Sequence, residues 1–275
     1  MTLLDFHPTD DFAEIEALYS EPAANAESGS VLAKVRLILG AFLSGETDLG
    51  LSELTQRTQL KKATVFRLAS GMVETGLLEK SNGRFRLSLF MFELGSKVRV
   101  QKSLRAISNP FLRALHATTR ETVYLSSLRV PMAVCVERLA AEDGQAARWM
   151  IGDQMPMHST AAGKSMLAYL SPDVIEQHFN RSPLPAMTKR TITSPEMLTS
   201  SLREVRRTRV AYDREESWPG YSSVAAPIFD SRNNVIGAVS VAGPSSRIKL
   251  ESIANTVMHT AVGITRRAST QVDLC

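Results

Sequence analysis

The sequence predicts a two-domain α/β chain: a small N-terminal unit of three helices and a hairpin, then a larger unit built on a mostly antiparallel sheet. Three observations carry this expectation. Apolar residues between Val31 and Met72 recur at helical spacing in three consecutive stretches. Asn82-Gly83 follows, the strongest short hairpin signal, because both residues tolerate positive φ. From Thr122 onward, extended apolar stretches fall in two groups around a helical middle. A length of 275 residues suits two domains.

Residues 1–28 read as an acidic, flexible extension, with one short helix expected over Asp10–Tyr19. Val31, Val35, Ile38 and Phe42 then fall at i, i+4, i+7 and i+11, with Ser30 placed to cap the helix they form. A second helix is expected from near Ser52 to Thr58, with Leu54 inward. A third runs over Lys62–Glu74, with Val65, Leu68, Ala69 and Met72 inward. The gap between these two is a helix-turn-helix length. After the hairpin, Leu87, Phe90, Met91, Leu94 and Val98 continue at helical spacing and read as a linker helix. Helix, helix, helix, hairpin is the order of a winged helix-turn-helix. The expected domains are therefore 29–88, a linker helix over 89–104, and a second domain over 105–270.

In the second domain, strands are expected at Thr122–Leu128, Met132–Leu139 and Arg148–Ile151. Helices follow at about 163–180 and 195–208. Three further strands are expected at Val210–Arg214, Tyr221–Phe229 and Val235–Ala242, the last two joined near Asn233-Asn234. A final helix carries Leu250, Ile253, Val257, Ala261 and Ile264 on one face.

Charge is unevenly spread. Residues 1–33 hold seven acids and no Lys or Arg, whereas 34–105 hold thirteen Lys/Arg against six acids. The basic excess per residue is greatest where the three helices lie, which marks a candidate polyanion binder. No apolar run approaches the ~20 residues that span a bilayer, so no membrane partner is expected. The N-terminus lacks the pattern of a secretory signal. Two cysteines, Cys135 and Cys275, are too few for a disulfide framework or a cysteine zinc site. A cytoplasmic location fits these features.

With Val65 pointing inward, about 100° per residue turns Ala63, Arg67 and Ser70 outward and puts Thr64 and Phe66 on the flanks. Lys61 and Lys62 sit at the entry, suited to phosphate contact, while Arg67 can read a guanine edge bidentately. On the hairpin, Lys80, Arg84 and Arg86 are placed to reach the backbone or a minor groove. The expected partner is double-stranded DNA.

Here the residues resemble the IclR-type transcription regulators. The likeness is carried by Ser30 through Phe42, Leu51-Ser52-Glu53-Leu54, Lys62 through Leu68 and Gly76-Leu77-Leu78. It continues at Gly152 through Pro156, His158 through Lys164, Asp213-Arg214-Glu215-Glu216, Pro219-Gly220, Val224 through Pro227 and Ser240 through Pro244. The resemblance implies a GAF-like α/β effector-binding domain and an oligomer, a homodimer or dimer of dimers on an inverted-repeat operator. It also implies a small organic acid effector held by Ala161 and Ala162 in a loop and by Asp213, Ser223 and Ser240. Trp149, Met150, Met155, Met157 and Trp218 are candidates for an apolar wall. Three departures stand out: the family often has Gly at Gln59, Cys at Ser223 and sometimes Ser at Ala242.

Enzyme readings fit less well. Gly163-Lys164-Ser165 lacks the earlier glycine of a phosphate loop, His158 standing in its place. No Gly-x-Ser-x-Gly elbow and no metal-ligand histidine spacing occur, so neither a catalytic set nor a cofactor is expected. The reading is a ligand-responsive repressor or activator of a catabolic operon. The alternatives are a regulator whose second domain only oligomerises, and an enzyme with an accessory tri-helical domain.

Overall fold

A computed structural model describes residues 29–43, 47–141, 149–180 and 184–270. The acidic stretch 1–28, its expected helix and Arg148 lie outside them. The chain divides into two units, one ending at Val98 and the other starting at Arg99.

The first unit opens with α1 (Val31–Gly40), capped by Ser30, whose hydroxyl accepts from the Ala33 amide at 3.2 Å. A 3-10 turn over Ala41–Leu43 buries Phe42. Helices α2 (Leu51–Thr58) and α3 (Lys62–Glu74) follow, joined by Gln59–Lys61. Gln59 has φ 55° and ψ 21°, the left-handed conformation that the family glycine would take at lower cost. Strands β2 (Leu78–Ser81) and β3 (Arg84–Leu87) turn over Asn82 and Gly83, both at positive φ. A two-residue strand β1 (Asp48–Leu49), absent from the sequence reading, pairs with β3 and makes the wing three-stranded. Ile38, Leu49, Leu54, Val65, Ala69, Met72, Leu78 and Phe85 form the core of this unit.

The linker helix expected over 89–104 is interrupted. Helix α4 (Leu89–Gly95) stops at Gly95, and the Ser96 hydroxyl turns back to the Glu93 carbonyl at 2.7 Å. A new helix, α5 (Arg99–Thr119), starts after Val98 and runs through Pro110. Most of it had no counterpart in the sequence reading.

The second unit is built on one antiparallel sheet. Its strands are β4 (Thr122–Arg129), β5 (Met132–Leu139), β6 (Gln154–Pro156), β7 (Ala211–Arg214), β8 (Tyr221–Phe229) and β9 (Val235–Pro244). Their order is β6-β5-β4-β9-β8-β7, so the two sequence groups join through β4 and β9. Where a strand is expected over Arg148–Ile151, the described residues from Trp149 on form no strand and turn at Ile151-Gly152 into β6. Gly152 at φ 99° and an Asp153 carboxylate accepting from the Met150 amide force that turn. The helix expected over 163–180 is two, α6 (Ala161–Leu167) and α7 (Pro172–Phe179). Pro172 has no amide to continue a helix, and Ser171 caps the second one. Helices α8 (Pro195–Thr208) and α9 (Leu250–Ser269) complete the unit.

Alternation along the strands gives the sheet two different faces. One presents Val123, Leu125, Val224, Ala226, Ile228, Val239 and Val241 to Leu104, Ile107, Leu112 and Leu115 of α5 and to Val257 and Ile264 of α9. The other carries small and polar residues and is covered by α6, which packs on β7, β8 and β9.

Candidate nucleic-acid interface and ligand site

In α3, Val65, Ala69 and Met72 are buried, and this fixes what the rest of the helix shows to solvent. Lys61, Lys62, Ala63 and Arg67 are exposed, Thr64 and Ser70 are half-buried, and Phe66 is 49% exposed. Lys80 of the wing lies over the rings of Phe66, at 5.8 Å, and Phe85, at 5.2 Å. That contact ties the flank of α3 to the hairpin and was not visible in the sequence, because Phe66 and Lys80 belong to different periodic patterns.

The wing arginines are engaged within the unit. Arg84 donates to the Asp48 carbonyl at 2.6 Å and pairs with Glu53 at 2.9 Å, and Arg86 pairs with Glu79 at 2.7 Å. The Gly50 amide, followed by Arg84, holds the Glu53 carboxyl below its ordinary range. Such exposed pairs are weak and screened by salt, so a phosphate can displace the carboxylate.

On the second face of the sheet, register places Asp213 opposite Ser223, Ser223 opposite Ala242, and Ser240 between Ala225 and Tyr124. Asp213, Ser223 and Ser240 therefore share one face, under α6. Asp213 is buried. Its carboxylate accepts from the amides of Glu216 at 2.7 Å and Ser217 at 3.2 Å, from the Ser217 hydroxyl, and from Ser223 at 3.4 Å. Burial pushes its pKa up to about 6, against the opposing pull of Ser217 and Lys164. Lys164, 2% exposed, meets Glu216 at 2.5 Å. The sequence places Lys164 in a phosphate-loop-like pattern and at the end of the family-like stretch from His158, without giving it a role at this site. It did not assign Ser217, Glu216 or Tyr124 to this cluster.

Helix α6 begins at Ala161 behind Thr160, whose hydroxyl donates to the Pro156 carbonyl and accepts from the Gly163 amide. The Ala161 and Ala162 amides have no acceptor among the described residues. Of the apolar candidates, Trp149, Met155 and Met157 are buried and Trp218 half-buried. Met150 is 53% exposed, and its sulfur receives the Arg138 guanidinium, so it leaves the proposed wall. His158 is a buried structural residue: Nε2 lies 2.8 Å from the Pro185 carbonyl, and burial lowers its pKa to about 4. Two cavities of about 340 and 220 Å³ lie elsewhere in the unit, and none of the five expected effector residues lines either. Among the described residues, no three His, Cys, Asp or Glu side chains group as a metal site, and no helix is long and apolar enough to cross a membrane.

Comparison with known proteins agrees with both halves. Residues 31–81 match the IclR helix-turn-helix domain, and 97–271 match the family described as bacterial transcriptional regulator IclR C-terminal. The chain is 32% identical to the HTH-type transcriptional regulator KdgR of Escherichia coli over 250 residues, 90% of this chain and 94% of that one. It is 30% identical to the glycerol operon regulatory protein of Streptomyces coelicolor over 86% of this chain and 91% of that one. An IclR homolog from Microbacterium hydrocarbonoxydans, solved in complex with 4-hydroxybenzoate, superimposes with a TM-score of 0.78 at 26% identity. That match covers 88% of this chain and all of the other.

Proposed function

The chain belongs to the IclR family of transcription regulators, and from that premise we propose that it controls a catabolic operon in the cytoplasm in response to a small organic acid. The observation that carries the effector half is the gathering of Asp213, Ser223 and Ser240 on one sheet face beneath the unpaired amides of Ala161 and Ala162. The relative bound to 4-hydroxybenzoate supports an acid of that size. A carboxylate at those amides leaves a ligand hydroxyl or carbonyl facing the two serines and Asp213.

On the DNA side, Lys61, Lys62, Thr64, Phe66, Arg67 and Ser70 meet the major groove, with Arg84 and Arg86 on the adjacent backbone or minor groove. The assembly is a homodimer or dimer of dimers on an inverted repeat, because one winged helix makes a footprint of only ~600–1,000 Å². The exposed Val31, Leu32, Leu89, Phe92 and Val98 supply apolar surface for it.

The test pairs two DNA variants with one ligand variant. Arg67→Ala costs about 1–3 kcal/mol at the cognate operator and flattens base preference there, while Lys62→Ala weakens all sequences alike and lowers the salt slope by about one unit. Ser240→Ala weakens the effector by tenfold or less, about one hydrogen bond, and leaves ligand-free DNA affinity intact. Wild-type operator affinity in Arg67→Ala refutes the helix orientation. Unchanged effector affinity in Ser240→Ala moves the ligand elsewhere.

A further inference from the structure

The smaller cavity, about 220 Å³, has the composition of a ligand site and shares no lining residue with the Asp213 cluster. It lies between Tyr169, which follows α6, the end of β8, and α9. Ala226 and Ala261 form a buried floor, and Phe229 and Met258 add apolar wall. Arg209 and Arg266 line it as well, both exposed, so the cavity runs from a cationic mouth to an apolar interior. Among the described residues no acidic side chain lines it, and no carboxylate pairs with either arginine. The Tyr169 side chain lines this cavity, and its hydroxyl, closed to solvent in the ligand-free chain, has no hydrogen-bond partner among the described residues. Its ring is held edge-on to Phe229 with centroids 4.9 Å apart at 85°, so the hydroxyl cannot swing away without breaking that contact. An orphaned buried hydroxyl is unfavourable and rare in native proteins, and a bound acceptor removes the penalty.

We propose that this cavity is a second small-molecule site, separate from the effector cluster. It takes a compact organic carboxylate whose anion meets Arg209, Arg266 and the Tyr169 hydroxyl while its apolar body lies on Met258 and Ala261. The volume is below the ~300–1,000 Å³ of pockets that hold drug-sized ligands, which limits the guest to roughly the size of benzoate. Burial keeps the Tyr169 phenol above its ordinary pKa, against the pull of Arg209 and Arg206, so it is a donor at neutral pH. Tyr169 lies two residues beyond α6, Arg209 caps α8, and Met258 and Arg266 belong to α9. A ligand here therefore clamps three elements, one of which carries Ala161 and Ala162.

The experiment is a calorimetric titration of the full chain with benzoate, and separately with inorganic phosphate. It uses wild type, Tyr169→Phe, Arg266→Gln and Ser240→Ala. Without ligand, Tyr169→Phe keeps the ring stack and loses the orphaned hydroxyl, so it is expected to melt no lower than wild type, and Arg266→Gln, at an exposed site on its helix, to melt as wild type does. The expected result is millimolar or tighter benzoate binding that weakens about threefold to tenfold in Tyr169→Phe and at least tenfold in Arg266→Gln, and is unchanged in Ser240→Ala. Where benzoate fills both sites, stoichiometry is two per chain and the Tyr169 and Arg266 variants affect one of them. Benzoate binding that responds only to Ser240→Ala overturns the proposal. So does absence of binding up to about 10 mM, which leaves less than ~3 kcal/mol of affinity. Phosphate bound as tightly as benzoate overturns the part assigned to the apolar floor.

Discussion

Replacing Asp213 with Asn should make the effector unit's stability less dependent on pH. The carboxylate is buried, and burial, the largest influence on it, pushes its pKa up to about 6 from an ordinary 3.8. A folded state that raises an acid's pKa binds the proton more tightly than the unfolded chain does. The anion therefore costs stability: nothing below pH 3.8, an increasing amount up to about 6, and the full amount above. That full amount is about 3 kcal/mol, from 1.36 kcal/mol per tenfold change in proton affinity. Roughly half is already present at about pH 5, leaving ~1.4 kcal/mol to develop by about pH 7.5. Asn is a fair replacement. Its carbonyl can still accept from the amides of Glu216 and Ser217, and its amide can donate to the hydroxyls of Ser217 and Ser223, which accept as readily as they donate. The assay is urea unfolding followed by tryptophan fluorescence, which reports this unit alone because the chain's two tryptophans are Trp149 and Trp218. Other titrating groups largely cancel in the difference between variant and wild type. That difference should favour Asp213→Asn by ~1.4 kcal/mol more at about pH 7.5 than at about pH 5. An equal difference at both pH values, or one of opposite sign, refutes the reasoning. It would mean that Lys164 and the donors around Asp213 outweigh burial.

Three further outcomes are expected. Gln59→Gly relieves a left-handed conformation worth about 1–2 kcal/mol but adds unfolded-state entropy, so it should stabilise the N-terminal unit by up to ~1 kcal/mol in thermal melts followed by helical circular dichroism. Gly163→Ala should destabilise the effector unit by about 3 kcal/mol or more, seen as lost soluble yield and a lower urea midpoint. Its methyl would sit 2.6 Å from the Met157 carbonyl oxygen and closer still to the Met157 Cα, both of them backbone. Phe92→Asp, at a site 72% exposed in the single chain, should weaken self-association, and light scattering should shift toward the 30.2 kDa of one chain.

Local chemistry made the N-terminal unit legible. Ser30, the inward stripe of α3 and Asn82-Gly83 each act over a few residues, and each forms the element its sequence predicts. The misses have local causes too. Strand β1 is two residues long, too short to show a period, and is held by its pairing with β3. Helix α5 carries Ser108, Asn109 and Pro110 in its middle, which disguise it until the burial of Leu104, Ile107, Leu112 and Leu115 against the sheet overrides their propensity. The pairing of β4 with β9 joins segments more than a hundred residues apart, and nothing in either strand names the other. Gathering Asp213, Ser223 and Ser240 onto one face needed that long-range register, supplied in advance by family likeness and not by spacing.

The composition of the second face bears on the ligand site proposed there. Helix α6, which carries Ala161, Ala162, Gly163 and Ser165, packs on the strands that carry Ser223, Ala225, Ser240 and Ala242, so both elements are rich in small residues. Such a match permits either close backbone approach or a vacancy, and sequence alone does not choose. At Gly163 the backbone of Met157 already occupies the position of a side chain, so close approach has used the space. At Asp213 the same face buries a carboxylate at a cost in stability, which an aliphatic residue of similar volume would avoid. Tight packing explains the glycine and leaves the carboxylate unexplained. In the proposed effector site, a ligand hydroxyl that took the place of the Ser223 donor at Asp213 would offset that cost only when bound, and Asp213 would then serve effector affinity at the expense of fold stability.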